Sequence, residues 1–326
     1  MKNKPTTRLV IAALGAALAW ANPTIAADYP TKPIKIIVPY TPGGAVDIMS
    51  RTVGDKLSGA LGQPVVMENR PGAGAAVGTE FVAKSPADGY TLLVCTVGAM
   101  TINTALYKDL RYNPLKDFEG ISLMANHALV MIANSQLGVK TAMELVNLAK
   151  AKPGSVSGGY PGNGTTAHVA LAFLNRATGA GITPVPYRAS TQVTTAAATG
   201  ELQMAFIDIL PVLPFARSGA VRVLAIVGPD RTAIAPEVPT FDESGLKGFD
   251  FVTWSGFFAP AGTPKDAIAR LNQEIRKILA DPEMKKRAIS LGAEAVSSAP
   301  DEPMARVRRE IGMWVSLVRD AGAKVD

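Results

Sequence analysis

The stretch VPYTPGGAVD, residues 38–47, decides the fold of this chain. It begins at the end of an apolar, β-branched segment, Pro33 to Tyr40, which has the composition of a buried strand. The turn Pro42–Gly44 then breaks the strand, and a helical pattern follows that ends near Gly62. The stretch therefore predicts a strand, a glycine turn and a helix, the unit from which layered α/β sheets are built.

The same unit recurs along the chain. The first block continues with a turn at Pro71 to Gly74 and a strand at Tyr90 to Cys95. A second block begins near Leu129 and has its own glycine turn, within GGYPGNGTTAHVA (158–170). Alternating strands and helices predict parallel sheets with helices on their faces. Because 326 residues exceed the usual size of one compact core, we expect two α/β lobes.

The C-terminal part is predicted to be helical. Thr263 is the expected N-cap of one helix, with Pro264 at the first helical position, and Asp281 begins another. The last helix has an apolar face that we interpret as core contact, formed by Val307, Ile311, Trp314, Val315 and Val318. These helices are expected to return to the first lobe.

The N-terminus predicts export. Lys2, Lys4 and Arg8 precede an uncharged stretch from Leu9 to Ala21, which is short for a transmembrane helix and typical of a cleavable signal peptide. Cleavage is expected after Ala26, with the bond after the neighbouring alanine as a close competitor. The remaining Lys and Arg residues form no run, so the charge pattern does not favour nucleic-acid binding.

Residues that could carry out chemistry are few. The usual polar groups are His127, His168 and the single cysteine, Cys95, which ends an apolar run and is expected to be a buried, inert thiol. The sequence contains no HExxH, CxxC or GxSxG motif and no metal-ligand cluster. We therefore expect neither an enzyme nor a metal or cofactor site.

The first glycine turn suits an anion. Gly43 and Gly44 let a ligand approach the backbone, and the free N–H groups of the first helical turn favour negative charge. The pattern alone is equally consistent with an anion site and with a tight strand-to-helix connection that binds no ligand. Asp47 is expected to hydrogen-bond within the turn and hold it.

The second turn offers a comparable set of donors. Its glycines precede Thr165, Thr166 and His168 at a helix start, where hydroxyls and amides could bind a second carboxylate or carbonyl. His168 is predicted either to reach the ligand or only to cap the loop. A third stretch, NRPGAGAAVG (69–78), has glycines spaced one residue wider than GxGxxG and supports a dinucleotide site only weakly.

Four longer stretches, in this order, resemble one family. They are VPYTPGGAVDIMSR (38–51), ENRPGAGAAVGTEFVAKSPADGYTLL (68–93), LYKDLRYNPLKDF (106–118) and FFAPAGTP (257–264). They resemble the Bug proteins, the TctC-type solute-binding proteins of tripartite tricarboxylate transporters. The resemblance covers essentially the whole chain after the signal peptide.

The resemblance implies a two-lobed type II periplasmic-binding-protein fold, or Venus flytrap, with crossing hinge strands. Signal peptide 1–26 would be followed by lobe 1, residues 27–128 plus 253–326, and lobe 2, residues 129–252. It also implies a periplasmic monomer that captures a small carboxylate, either an aliphatic di- or tricarboxylate or an aromatic acid. The integral membrane subunits of a transporter would receive the carboxylate. Alternatively, a membrane sensor would bind the ligand-loaded protein.

The family also implies the site residues, because it holds the carboxylate through backbone amides and ordered waters from two glycine turns. The matching positions of the first turn are Pro42, Gly43, Gly44 and Asp47. Those of the second turn are Gly159, Gly162, Gly164, Thr165 and His168. Further cleft positions are Thr96, Tyr187 and Asp208.

Two positions depart from the family pattern. Tyr160 stands where the second turn usually has a small hydroxyl residue, and we predict that its ring narrows the pocket or stacks on an aromatic ligand. Ala189 replaces a glycine in VPYRAS (185–190), a change that we attribute to local packing.

Overall fold

The computed structural model describes residues 29–323, so the predicted signal peptide lies outside the described residues. The first sheet has six strands in the order β11-β4-β10-β3-β1-β2. They are β1 (Ile34–Val38), β2 (Val65–Asn69), β3 (Thr91–Thr96), β4 (Phe118–His127), β10 (Thr253–Pro260) and β11 (Ala293–Ala295). Strands β1, β2 and β3 are parallel, whereas β10 and β11 run antiparallel to their neighbours.

Strand β1 lies between β2 and β3, and four of its five residues are buried. Helices α1 (Ala45–Leu61) and α2 (Ala76–Ala83) follow β1 and β2. Helix α1 ends at Gly62, whose φ of 66° lies in the left-handed region that glycine adopts without strain. The strand, turn and helix predicted from residues 38–47 are thus present, and Cys95 on β3 is a fully buried free thiol.

The second sheet has five strands in the order β7-β6-β8-β5-β9. They are β5 (Leu129–Asn134), β6 (Ser157–Tyr160), β7 (Thr183–Pro186), β8 (Met204–Asp208) and β9 (Val221–Val227). Its helices are α5 (Ala142–Ala151), α6 (Thr166–Thr178), α7 (Ser190–Thr199) and α8 (Leu213–Arg217). Strands β6, β7 and β8 are parallel, so their carboxyl ends meet at one edge of the sheet.

The chain passes between the sheets twice. Ala128 alone separates β4, in the first sheet, from β5, in the second, and its carbonyl accepts a hydrogen bond from Ile209 N. The segment 228–252 leads from β9 back to β10. The fold is therefore a mixed α/β structure with two lobes.

The remaining helices lie at the lobe junction and along the first sheet. They are α3 (Asn103–Leu106), α4 (Pro114–Asp117), α9 (Lys265–Ala280), α10 (Pro282–Ser290) and α11 (Glu302–Ala321), with a π-helical segment at Gly98–Ile102. Helix α11 packs on β4 and the π-helical segment, and also on α6 of the second sheet. The prediction that the last helix returns to the first lobe therefore describes only part of its contacts.

Two local predictions in this part of the chain are wrong. Thr263 is not an N-cap, because its hydroxyl donates to the Pro260 carbonyl and α9 begins two residues later, after Pro264. Val315 is 38% exposed, whereas Trp314 is fully buried, so the apolar face of α11 is narrower than predicted. Within residues 29–323, no helix is both long and apolar enough to span a bilayer.

Candidate functional site

A cavity of about 670 Å³ lies between the lobes, where the parallel strands of both sheets end. The first lobe contributes the turn after β1, the turn after β2 and Thr96 at the end of β3. The second lobe contributes the turn after β6, residues 187–190 after β7 and Asp208 at the end of β8. Ligands of open α/β sheets bind at such carboxyl ends, and the volume suits a small molecule.

The turn after β1 presents backbone amides to the cavity. Gly44 is the N-cap of α1 and has no side-chain cap, and the first helical hydrogen bond runs from Ile48 N to Gly44 O. Gly44, Ala45 and Val46 line the cavity, so the N–H groups of the first helical turn lie at its wall. Gly43 has a φ of 86°, and it is exposed outside the lining.

Asp47 holds this turn. Its carboxylate accepts hydrogen bonds from Gly43 N at 3.0 Å, Arg51 Nε at 3.1 Å and Asn69 Nδ2 at 2.8 Å. Burial raises the pKa of Asp47, but these donors together outweigh it and bring the pKa below its usual value. Asp47 is therefore an ionised carboxylate whose charge is compensated within the protein.

The turn after β2 also lines the cavity, which the sequence analysis missed. Residues 71–75 contribute to the wall, and Ala73 and Ala75 adopt positive φ angles of 46° and 74°. Such angles are uncommon for residues with a Cβ and cluster at binding sites. The signal for this turn is the glycine pattern of residues 69–78, whose spacing by itself suggests only a weak dinucleotide site.

The turn after β6 leads into α6. Thr165 is the N-cap, its Oγ1 accepting from His168 N at 3.3 Å and donating to Gly162 O at 2.8 Å. Gly162, Asn163 and Thr165 line the cavity. The first turns of α6 and of α1 thus both line the cavity.

His168 and Tyr160 do not line the cavity. Their rings stack with centroids 4.8 Å apart, and the Tyr160 hydroxyl donates to Asn163 Oδ1 at 3.0 Å. His168 Nδ1 lies 3.4 Å from the amide nitrogen of Gly164, its donor, and burial lowers the pKa of His168 to about 4. The structure thus places His168 as a neutral group that caps the loop, and the Tyr160 ring stacks on it.

The lobes touch beside the cavity through glycines. A Cβ on Gly74 would lie 2.5 Å from Asn163 O, and one on Gly164 would lie 2.7 Å from Asn103 Oδ1. A Cβ on Gly98 would lie 3.0 Å from Gly164 O. We call Gly74, Gly98 and Gly164 the glycine seam, because any side chain there would force the lobes apart.

The floor of the cavity has hydroxyl groups from both lobes. Thr253 Oγ1 donates to Thr166 Oγ1 at 3.1 Å, which joins the start of β10 to that of α6. Thr96 Oγ1 lies 2.8 Å from Tyr40 Oη, and Thr96 N donates to the same oxygen at 3.0 Å. All four residues line the cavity.

The second sheet contributes the remaining polar groups. Tyr187 donates its hydroxyl to Glu201 Oε1 at 2.7 Å, and the exposed Arg188 follows it. Asp208 is partly buried, and desolvation raises its pKa to about 6. Asp47, Arg188 and Asp208 are the charged residues of the cavity wall among residues 29–323.

The structure brings together seven of the residues predicted from the sequence. Those that line the cavity are Gly44, Asp47, Thr96, Gly162, Thr165, Tyr187 and Asp208. Those outside its lining are Pro42, Gly43, Gly159, Tyr160, Gly164 and His168. Gly159 is buried, and a Cβ there would collide with Leu202. Arg188, Tyr107 and Thr253 were not predicted, because only the fold brings them to the cavity.

No group of three or more His, Cys, Asp or Glu side chains in the described part of the chain could hold a metal ion. The cavity instead presents helix N-termini, hydroxyls and backbone amides. Such groups bind and orient a polar ligand, and they supply no nucleophile with an adjacent base.

Comparison with known proteins places the chain among receptors of transporters. Residues 49–322 match the family model TctC, described as tripartite tricarboxylate transporter family receptor. The protein BugT of Bordetella pertussis (strain Tohama I) is 35% identical over 323 residues, which cover 98% of this chain and 99% of BugT.

Two solved structures of similar proteins contain carboxylates. Rpa4515 of R. palustris with adipate is 29% identical, with a TM-score of 0.87 over 91% of this chain and 100% of that chain. MatC of Rhodopseudomonas palustris with bound malate is 29% identical, with a TM-score of 0.83 over 89% of this chain and 100% of that chain.

Proposed function

Because the chain belongs to the family of tripartite tricarboxylate transporter receptors, we propose that it captures a small carboxylate between its lobes and delivers it to integral membrane transporter subunits. The observation that carries this proposal is the cavity of about 670 Å³ into which the first turns of α1 and α6 both open. The similar proteins with adipate and with malate support a carboxylate as the ligand class.

The energetics require both lobes. A helix N-terminus contributes about 0.3 to 1 kcal/mol to the binding of a charge, and a hydrogen bond to a charged group about 1.5 to 3 kcal/mol. Micromolar affinity needs about 8 kcal/mol after the entropic costs of association. One turn would therefore bind weakly, whereas a carboxylate held from both lobes reaches this range.

The test is a thermal-shift screen of the mature protein, unfolded and refolded to remove bound solute. Aliphatic and aromatic mono-, di- and tricarboxylates are compared, because a ligand that binds only the folded state raises its apparent stability. A shift confined to one subclass identifies the solute class. If no carboxylate shifts the transition, the proposed ligand class is wrong.

Gly44→Val tests the turn after β1. Gly44 has an unstrained φ of −76°, and the nearest atom to its added Cβ is Thr41 O at 3.9 Å, so the side chain would occupy open space at the cavity wall. We expect at least about a tenfold loss of carboxylate affinity with the fold retained. The side chain would keep the ligand away from the backbone N–H groups, so a hydrogen bond to the charged carboxylate would be lost. Gly59→Val, at an exposed position of the same helix, is the matched control and should bind normally.

We also propose that the protein acts in the periplasm after removal of residues 1–26. Cell fractionation with N-terminal sequencing should give Ala27 as the first residue, or Asp28 if the competing bond is cleaved. Cells that lack the chain should lose uptake of the identified carboxylate. Normal uptake with loss of a transcriptional response to that carboxylate would instead assign delivery to a membrane sensor.

A further inference from the structure

Among residues 29–323, Asp208 is a carboxylate without a partner in the cavity wall. It ends β8, it is partly buried, and its side chain lines the cavity. Among the residues that the structure describes, none forms a hydrogen bond or an ion pair with its carboxylate. Asp47, in the same cavity, accepts hydrogen bonds from three residues, so the lack of donors is particular to Asp208.

The elements around Asp208 supply no compensating charge. Strand β5 and helix α7, which pack on β8, carry no ionisable side chain. Strand β6 ends with Tyr160, and α6 carries His168, which burial keeps neutral, and Arg176. Across the cavity, Arg51 neutralises Asp47. Desolvation raises the pKa of Asp208. The other titratable groups of the wall are Arg188, Tyr40, Tyr107 and Tyr187.

The position of Asp208 relates it to the turn after β6. Strands β6 and β8 are parallel neighbours in which Gly158 is opposite Met204 and Gly159 is opposite Ala205. The carboxyl end of β8, where Asp208 lies, therefore meets the turn after β6 at the same edge of the sheet, and Asp208 and Gly162 both line the cavity. A ligand carboxylate bound by this turn would therefore share this part of the cavity wall with Asp208.

An ionised carboxylate beside a carboxylate ligand would repel it unless the ligand offers a donor at that point. Desolvation raises the pKa of Asp208 to about 6, so at neutral pH the group is mostly ionised and has lost part of its hydration. A ligand ammonium, amide N–H or hydroxyl would restore a hydrogen bond there.

Resting on the proposed binding function, we propose that Asp208 selects carboxylates that bear a hydrogen-bond donor on the carbon next to the carboxylate. The preferred solutes are 2-amino or 2-hydroxy acids, and Asp208 is a specificity-determining residue. An unsubstituted acid binds well only when Asp208 is protonated. The two kinds of ligand therefore respond to pH in opposite directions.

The test is calorimetry on protein that has been unfolded and refolded to remove bound solute, with two matched sets of probes. The first set is succinate, malate and aspartate. The second set is adipate, 2-hydroxyadipate and 2-aminoadipate. Within the set that binds, we expect the substituted acids to bind at least about tenfold more tightly than the unsubstituted one. Between about pH 6.5 and about pH 8, affinity should fall about tenfold for the unsubstituted acid and should hold or rise for the amino acid.

Asp208→Asn should remove both effects. We expect it to weaken binding of the amino acid about tenfold, to strengthen binding of the unsubstituted acid, and to abolish the pH dependence. Asp242→Asn, at an exposed position outside the cavity, is the control and should change nothing. The pH profiles of the unmutated protein test the proposal even if the Asn variant folds poorly.

The outcomes separate this inference from the proposed function. If an unsubstituted acid binds as tightly as its substituted partners, or if the Asn variant leaves their ratio unchanged, Asp208 does not select a donor and only this inference fails. If the unsubstituted acid binds more tightly than its substituted partners and loses affinity at high pH, Asp208 acts as a proton donor to the ligand. That result also overturns this inference. If no probe of either set binds, the proposed function fails for these acids and this inference fails with it.

Discussion

Asp47 and Asp208 line the same cavity, yet their surroundings differ in hydrogen-bond donors. Asp47 is 3% exposed and bonded to Gly43, Arg51 and Asn69, whereas Asp208 has no bonded donor in the described chain. The pKa of Asp47 is therefore lowered and that of Asp208 is raised. The first carboxylate stabilises the fold, and the second is available to a ligand.

Asp47→Asn should destabilise the protein. The charged hydrogen bonds to Gly43 N and Arg51 would be lost, at a cost of about 1.5 to 3 kcal/mol in the free energy of unfolding at pH 7. Because the pKa of Asp47 is lowered, its contribution is present above about pH 4 and fades as the pH falls through the folded-state value. Urea unfolding measures this, and the exposed Asp55→Asn on α1 should have little effect.

Asp208→Asn should have the opposite effect on the stripped protein. Because the pKa of Asp208 is raised to about 6, folding is penalised when the group ionises, and stability falls as the pH rises from about 4 to about 6. At about pH 8 we expect the variant to be more stable than the unmutated protein by roughly 3 kcal/mol, with little difference at about pH 4. If the variant is less stable than the unmutated protein at about pH 8, the negative charge of Asp208 is compensated in solution.

At the scale of elements, three turns that follow parallel strands build the site. The turns after β1 and β6 each lead into a helix whose first turn opens on the cavity, and the turn after β2 completes the wall. The glycines have separate tasks. Gly44 leaves space at the cavity, whereas Gly74, Gly98 and Gly164 let the lobes approach each other.

Gly164→Ala should weaken ligand binding by holding the lobes apart. Its Cβ would meet Asn103 Oδ1 at 2.7 Å, and overpacking of this kind costs about 1 to 3 kcal/mol, or about 5- to 150-fold in affinity. Gly179→Ala, at the other end of α6, is the matched control. It has a similar positive φ of 67° but no atom within 4 Å of the added Cβ.

Both variants should lose stability through the strained φ, and only Gly164→Ala should lose affinity in a titration with the identified carboxylate. Equal affinities would show that the glycine seam does not form in the bound state.

At the scale of the whole molecule, the lobes share one core. A chain of aromatic contacts runs from Phe206 on β8 through Phe249 and Phe251 to Trp314 on α11, with centroid distances of 6.4, 6.2 and 5.0 Å. Helix α11 also packs on β4 of the first sheet. We therefore expect the two lobes to unfold together, because neither buries its aromatic residues alone.

Trp314→Ala should destabilise the entire protein. Removal of a fully buried Trp typically costs about 3 to 5 kcal/mol. Val315→Ala, at the exposed neighbouring position, should change the free energy of unfolding by less than about 0.5 kcal/mol. Far-ultraviolet circular dichroism and tryptophan fluorescence should give coincident transitions in the unmutated protein. Separate transitions for the two lobes would contradict the shared core.

The sequence by itself determined the repeated strand, turn and helix, the two α/β blocks and both glycine turns. These features depend on local chemistry: apolar β-branched runs form buried strands, and Pro42 and Gly44 interrupt them before a helical pattern begins. The resemblance of residues 38–51, 68–93, 106–118 and 257–264 to one family added the expectation of a cleft between the lobes.

Only the tertiary structure decided which side chains face that cleft. Tyr160 and His168 stack on each other outside its lining, while Arg188, Tyr107 and the turn at 71–75 reach its wall. The glycine seam and the lack of a partner for Asp208 involve residues far apart in the chain. The physical reason is that backbone propensity acts between near neighbours, whereas side-chain burial and pairing depend on how the two sheets pack together.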